Sequence, residues 1–156
     1  MDFLIRLEES GLGTWVRESP SLWAYPTVLF LHTVGMAVVV GIASAIALRL
    51  LGIAPDLPLA PLESLFPIIW IGFWLSAISG TVLLIADAST KLLDPVFEIK
   101  MVCIVIALQS TRMMRRHLEA RVTTKSKMYA AASLFFWTGT ITAGRLMAYL
   151  GPKARL

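Results

Sequence analysis

Residues 19–48 read SPSLWAYPTVLFLHTVGMAVVVGIASAIAL, a run bounded by Glu18 and Arg49 in which His32 is the only ionisable side chain of the charge-bearing types. About 20 consecutive apolar residues carry an α-helix across the hydrocarbon of a bilayer. The run therefore predicts a transmembrane helix, roughly Trp23 to Ala47. Outward from it, the uncharged stretch between Glu63 and Asp87 predicts a second span over about 66–86. That span opens at Pro67, where a missing backbone donor is tolerated. A third, over about 95–114, has Glu98 and Lys100 near its start and Arg112 near its end. Its uncharged middle falls short of the ~17 residues a lone span requires, so it needs protein neighbours. A fourth, over about 128–150, carries Arg145 one to two turns before Gly151-Pro152 stops it.

The whole composition agrees with those runs. Hydrophobic residues make up 57% of the chain and charged residues 15%, with a mean hydropathy of +0.75. An average soluble domain has a quarter of its residues charged. The expectation is an all-α, integral membrane four-helix bundle forming a single domain, 1–156, with lipid as its first partner. Arg6, Glu8, Glu9, Arg17 and Glu18 interrupt the opening residues, and the apolar stretch after them is too long for the core of a signal peptide. Instead, Phe3, Leu4, Leu7, Trp15 and Val16 alternate with charges across 1–20, the pattern of a short helix lying in the membrane interface. Pro55, Pro58 and Pro61 predict a stiff, non-helical connection between the first two spans. Cys103, the single cysteine, excludes an intramolecular disulfide. The net charge of +4 comes from basic residues flanking the apolar runs. They act there as topology and headgroup signals, with no basic groove for nucleic acid.

Arg115, Arg116, Arg121, Lys125 and Lys127 crowd the connection between the third and fourth spans. By the positive-inside rule, 115–127 is cytoplasmic and both termini are periplasmic, as in a multi-pass protein of a bacterial inner membrane. Small residues recur every fourth position as Ala37/Gly41/Ala45, Gly72/Ser76/Gly80 and Gly139/Ala143, predicting close helix packing within the chain, with other subunits or with a second copy. Trp15, Trp23, Tyr25, Trp70 and Tyr149 suit an aromatic belt, with Trp74 and Trp137 packed deeper.

In that topology four helices bring costly groups into the outer half of the bilayer: His32, Asp87, Glu98 with Lys100, and Arg145. An ionisable side chain at the bilayer centre costs at least ~2.5 kcal/mol, which makes each a functional candidate. His32 offers a nitrogen to haem iron, copper, a proton path or a quinone. Its plainer role is a neutral imidazole bonded to a neighbouring helix. Met36 lies one turn on along the same face, and His32 with Met36 is a candidate copper pair. Met101 and Met147 are the candidates for a second haem ligand from another helix. Lys100 and Arg145 can neutralise haem propionates or another anion, or pair with Asp87 and Glu98. His117, among arginines, reads as a solvated helix-end residue. No phosphate loop, dinucleotide fingerprint, nucleophile elbow or zinc-protease motif is present.

The stretch Trp15-Val16-Arg17-Glu18-Ser19-Pro20-Ser21-Leu22-Trp23, followed by Leu31-His32-Thr33 and a glycine-rich span, resembles a family of small proteobacterial four-helix membrane proteins of unknown function. More distantly, His32 together with Phe97-Glu98-Ile99-Lys100-Met101 resembles the His and Lys pattern of the HemJ-type protoporphyrinogen oxidases and the copper-resistance D membrane proteins. That resemblance implies haem or copper handling, with His32 as the metal-binding or essential histidine and Lys100 as the essential lysine. Three readings follow. The chain is a haem b- or copper-binding redox or cofactor-handling subunit, with His32, Lys100 and Arg145 at the cofactor; or a non-catalytic scaffold or assembly partner, with the same groups fixing helix register; or a small transporter. The absence of an internal repeat weighs against the last.

Overall fold

The computed structural model describes residues 2–53, 55–118 and 122–150. Within them the chain is all-helical: α1 (Asp2–Glu8), α2 (Gly11–Glu18), α3 (Tyr25–Leu51), α4 (Ala60–Glu63), α5 (Phe66–Ile85), α6 (Ala88–Lys91), α7 (Pro95–Leu118) and α8 (Thr124–Leu150). Arg121, the Gly151-Pro152 stop and the side chain of His117 lie outside the described residues.

Two helical segments, Tyr25–Leu51 and Ala60–Ile85, are long and apolar enough to cross a membrane. The helices α7 and α8, of 24 and 27 residues, have comparable length but less apolar sequences. In α7 the cause is charge, from Glu98 and Lys100 through Arg112 to Arg116. In α8 it is Lys125, Lys127 and Arg145 together with the run of hydroxyls and glycines, Thr138-Gly139-Thr140 and Thr142 with Gly144. Three of the long helices run about a turn past one end of the expected span and α5 ends one residue short of it; α3 starts at Tyr25, continues to Leu51 and closes on Gly52 at φ 101°. Glycine reaches that left-handed conformation without the steric cost a side chain imposes.

α3 packs on α5, α7 packs on α8, and α3 also packs on α8, so the two pairs join through α3 and α8. The α3–α5 contact is the tightest. A Cβ placed on Gly35 would come within 2.7 Å of both the Gly72 carbonyl oxygen and the Ser76 nitrogen. A Cβ on Gly72 would meet Val38 at 2.9 Å. No side chain fits between these backbones. The buried stripe of α3 runs through Gly35, Val39, Ala43, Ile46, Ala47 and Leu50. The expected packing ladder Ala37/Gly41/Ala45 lies on the opposite, exposed side. Spacing alone did not distinguish two small-residue stripes on one helix; the match of Gly35 to Gly72 selects the inner one. Trp74 is likewise 61% exposed rather than deep, whereas Trp137 is buried at 1%.

Between α7 and α8 the core is polar. The Trp137 indole donates to Thr111 Oγ1 at 3.2 Å, Thr111 Oγ1 donates to the Ala107 carbonyl at 2.8 Å, and Ser133 Oγ lies 3.1 Å from Thr111 Oγ1. Every buried side-chain nitrogen or oxygen among the described residues has a partner, the condition for such a network to hold helices together. The proline connection is stiffened by Arg49, whose Nε donates to the Leu57 carbonyl at 2.6 Å. It then enters a single helical turn, α4, that the three prolines had argued against; Pro61 sits at the helix start, where it is allowed.

The opening segment, expected as one short interfacial helix, forms two helices, α1 and α2. Ser10 caps α2, accepting from the Gly13 amide at 3.3 Å. Gly13 lies so close to the Glu8 carbonyl that any Cβ would collide with it.

Gly35→Ala should force α3 off α5, with a loss of about 1–3 kcal/mol, the usual cost of overpacking, while Gly41→Ala should be nearly silent. Unfolding of the two variants in mixed micelles checks this. Equal effects would show that the contact stripe is wrong.

Candidate functional site

His32 lies two turns into α3, and its ring fits against α5 where Gly80 leaves space. A Cβ on Gly80 would come within 2.8 Å of His32 Cε1, 3.0 Å of Nδ1 and 3.9 Å of Nε2. Nδ1 is 2.8 Å from the Ser76 carbonyl oxygen and 3.2 Å from Ser76 Oγ, which itself lies 3.4 Å from the His32 carbonyl. A carbonyl oxygen only accepts, so Nδ1 carries the proton. In the neutral ring the lone pair is then on Nε2. This is the arrangement that orients metal-ligating imidazoles, with the distal N–H held by a backbone carbonyl. Among the described residues no hydrogen bond reaches Nε2, and no buried polar side-chain atom lacks a partner, so Nε2 has accessible surface.

Lys100, from the second turn of α7, is partly buried, and its Nζ lies 3.9 Å from where a Cβ on Gly144 of α8 would sit. No carboxylate among the described residues forms an ion pair with it. His32 is within electrostatic range of Lys100 and also of Lys91. Lys91, in α6, donates from Nζ to the Leu83 carbonyl at 3.1 Å, meeting one of the open carbonyls at the end of α5.

The other candidates are placed differently. Arg145 is exposed and stacks over Tyr149 on its own helix, 5.7 Å from guanidinium carbon to ring centroid. Glu98 and Met101 are exposed on α7, and Met147 is partly buried on α8. Asp87 immediately precedes α6. Met36 packs against the apolar core around Val39 and Trp137. Among the described residues no group of three His, Cys, Asp or Glu side chains converges as for a metal ion.

Sequence reasoning passed over Lys91, which sits in a short connection and becomes part of the cluster only because α6 folds back onto α5. It recognised Ser76 and Gly80 as packing residues. Their spacing of four was the available signal that a large side chain opposite them would find both a notch and a carbonyl.

α6 is itself held from outside. Glu8 of α1 accepts from the Ser89 amide at 3.0 Å and from Ser89 Oγ at 2.9 Å. The carboxylate meets backbone donors at the start of the turn that carries Lys91.

Comparison with protein-family models, with curated proteins and with solved structures finds no match for this chain.

Glu8→Ala should release α1 and α2 from α6, at a cost of about 2 kcal/mol, the scale of a hydrogen bond to a charged group. Tryptic cleavage after Arg17 should accelerate. An unchanged cleavage rate would mean that the Glu8–Ser89 contact does not hold the segment.

Proposed function

We propose that this chain is a four-span membrane protein of a bacterial inner membrane that binds haem b through His32, as a redox or cofactor-handling subunit. The observation that carries the reading is His32 itself: a neutral imidazole with Nδ1–H committed to the Ser76 carbonyl at 2.8 Å and Nε2 accessible without a partner among the described residues. Bound haem would supply one-electron chemistry.

The membrane placement draws on the outward faces of all four long helices. Phe30 of α3, Ile71, Trp74 and Ile78 of α5, Val102 and Val105 of α7, and Phe135 of α8 are all more than half exposed. Meanwhile Ser76, Ser79, Ser110, Thr111, Ser133 and Thr140 are buried. Apolar outside and small or hydroxylic inside is the distribution of helices packed in lipid. The density of cations around 112–127 favours that end as cytoplasmic.

The residues present fit haem better than copper. One oriented imidazole is a complete proximal ligand for haem iron. Lys100, which has no acidic partner among the described residues, can offset a propionate. Copper would rely on His32 with Met36, whose side chain is engaged in the core. In the haem reading Ser76 holds the ring and its tautomer, and Gly80 provides room for it. Lys100 and Lys91 hold negative charge at the level of His32, and the α1–α2 segment keeps α6, with Lys91, in place.

A scaffold reading is favoured by the same clasp, since His32 and Ser76 also fasten α3 to α5. The two separate in one experiment. Protein purified from haem-replete membranes should show the reduced-minus-oxidised bands of a b-type haem. His32→Ala should abolish them while the protein still inserts. Lys100→Gln should keep the bands but retain haem about tenfold or more less tightly, the scale of one hydrogen bond to a charged group. Wild-type protein without haem, paired with a His32→Ala variant that only unfolds more easily, would overturn the haem reading and leave the clasp.

A further inference from the structure

The opposite end of the bundle holds a second feature that the haem reading does not use. A cavity of about 470 Å³ lies between the start of α5 and the last turns of α7. One wall is Phe66, Ile69 and Trp70, positions i, i+3 and i+4 of α5; the other carries Arg112, Arg115 and Arg116 of α7. We propose that this cavity binds the phosphate headgroup of an anionic phospholipid, with the upper part of an acyl chain along the α5 wall.

Charge carries the argument first. Three guanidinium groups line one small cavity, and among the described residues one carboxylate approaches any of them, Glu63 at 3.9 Å from Arg115. Arg115 is further oriented by Phe66, its guanidinium carbon 5.7 Å from the ring centroid. Arginine presents a planar fork of donors that matches phosphate oxygens, and two or three together make a phosphate site rather than a general attraction. Shape and depth come next. The volume lies in the range of small-molecule pockets, roughly 300–1,000 Å³. Arg112 and Arg116 are one turn apart, about 6 Å along the axis, so the charged wall covers the depth of a headgroup while the apolar wall continues inward at Ile69 and Trp70. A free anion would use the first wall alone; a phospholipid uses both. Basic pockets between helices at the cytoplasmic side of a membrane are a recurrent place for anionic headgroups.

The inference rests on the membrane placement proposed above and is independent of haem. Native mass spectrometry of the full chain from nonionic micelles tests it, with phosphatidylglycerol and phosphatidylcholine added at matched concentration. The expected result is retention of one phosphatidylglycerol about tenfold or more over phosphatidylcholine, because each basic residue adds to attraction for net negative headgroups and repels choline. R112Q/R115Q/R116Q should lose that preference. If the triple variant fails to fold, Arg112→Gln and Arg116→Gln taken singly should each reduce it. A preference unchanged by these substitutions, or no preference in protein that remains micelle-bound, overturns the site. Displacement of the lipid by millimolar inorganic phosphate overturns the lipid assignment in favour of a free anion. Protein that stays soluble without detergent would overturn the membrane placement as well.

Discussion

The close approach of α3 and α5 at Gly35, Gly72 and Ser76 is the constraint on which the rest of the structure depends. In the proposed membrane placement, apolar side chains are as well solvated by acyl chains as by one another, so helix association would rely on contact distance and on hydrogen bonds. With a Gly35 Cβ excluded at 2.7 Å from two backbone atoms of α5, the helices meet backbone to backbone. That distance lets the His32 ring, one turn before Gly35, reach the Ser76 carbonyl at 2.8 Å without displacing α5. A larger residue at Gly80 would close the notch that receives the ring. The chemistry of the imidazole is therefore a consequence of three small residues on the neighbouring helix.

The second pair of long helices solves the same problem by different means. α7 carries too much charge to be attractive to lipid along its whole length, and it is held by a hydroxyl and indole network with α8 at Thr111, Ser133 and Trp137. Its charged residues divide between the ends. Lys100 joins the level of His32, and Arg112, Arg115 and Arg116 gather at the far end. In the proposed membrane placement both groups would lie close to an interface, where a lysine or arginine stem can reach toward polar surroundings. Glu63 meets Arg115 at one end, while Glu8 binds the α6 turn at the other.

Much of the helical order was legible because a long apolar helix announces itself by length and the absence of charge. The runs around His32 and after Phe66 satisfy both conditions, and α3 and α5 follow them within a turn at most boundaries. What was not legible is rotation about the helix axis. α3 is apolar on all its faces, so its sequence offers little asymmetry. Ala37/Gly41/Ala45 and Gly35/Val39/Ala43 are equivalent until a partner is placed. Trp74 was assigned to the interior for the same reason. The candidate site divided along this line. His32 and Lys100 stood out as single ionisable groups in apolar context, while Lys91 and the Ser76 carbonyl entered through tertiary placement, and Arg145 turned out to stack on Tyr149 at the surface.

The geometry also bears on why a histidine is tolerated two turns into an apolar helix. Burying a neutral imidazole with both nitrogens unsatisfied would cost the helix pair more than the packing returns. The Ser76 carbonyl satisfies one nitrogen, and Nε2 escapes the penalty by keeping accessible surface. If the residue served only to fasten α3 to α5, a second bond at Nε2, or a serine or asparagine in place of the imidazole, would do so at lower cost. A lone pair held in a fixed direction, with two ammonium groups within electrostatic range and no acid paired to Lys100 among the described residues, is a costly arrangement for a fastener alone.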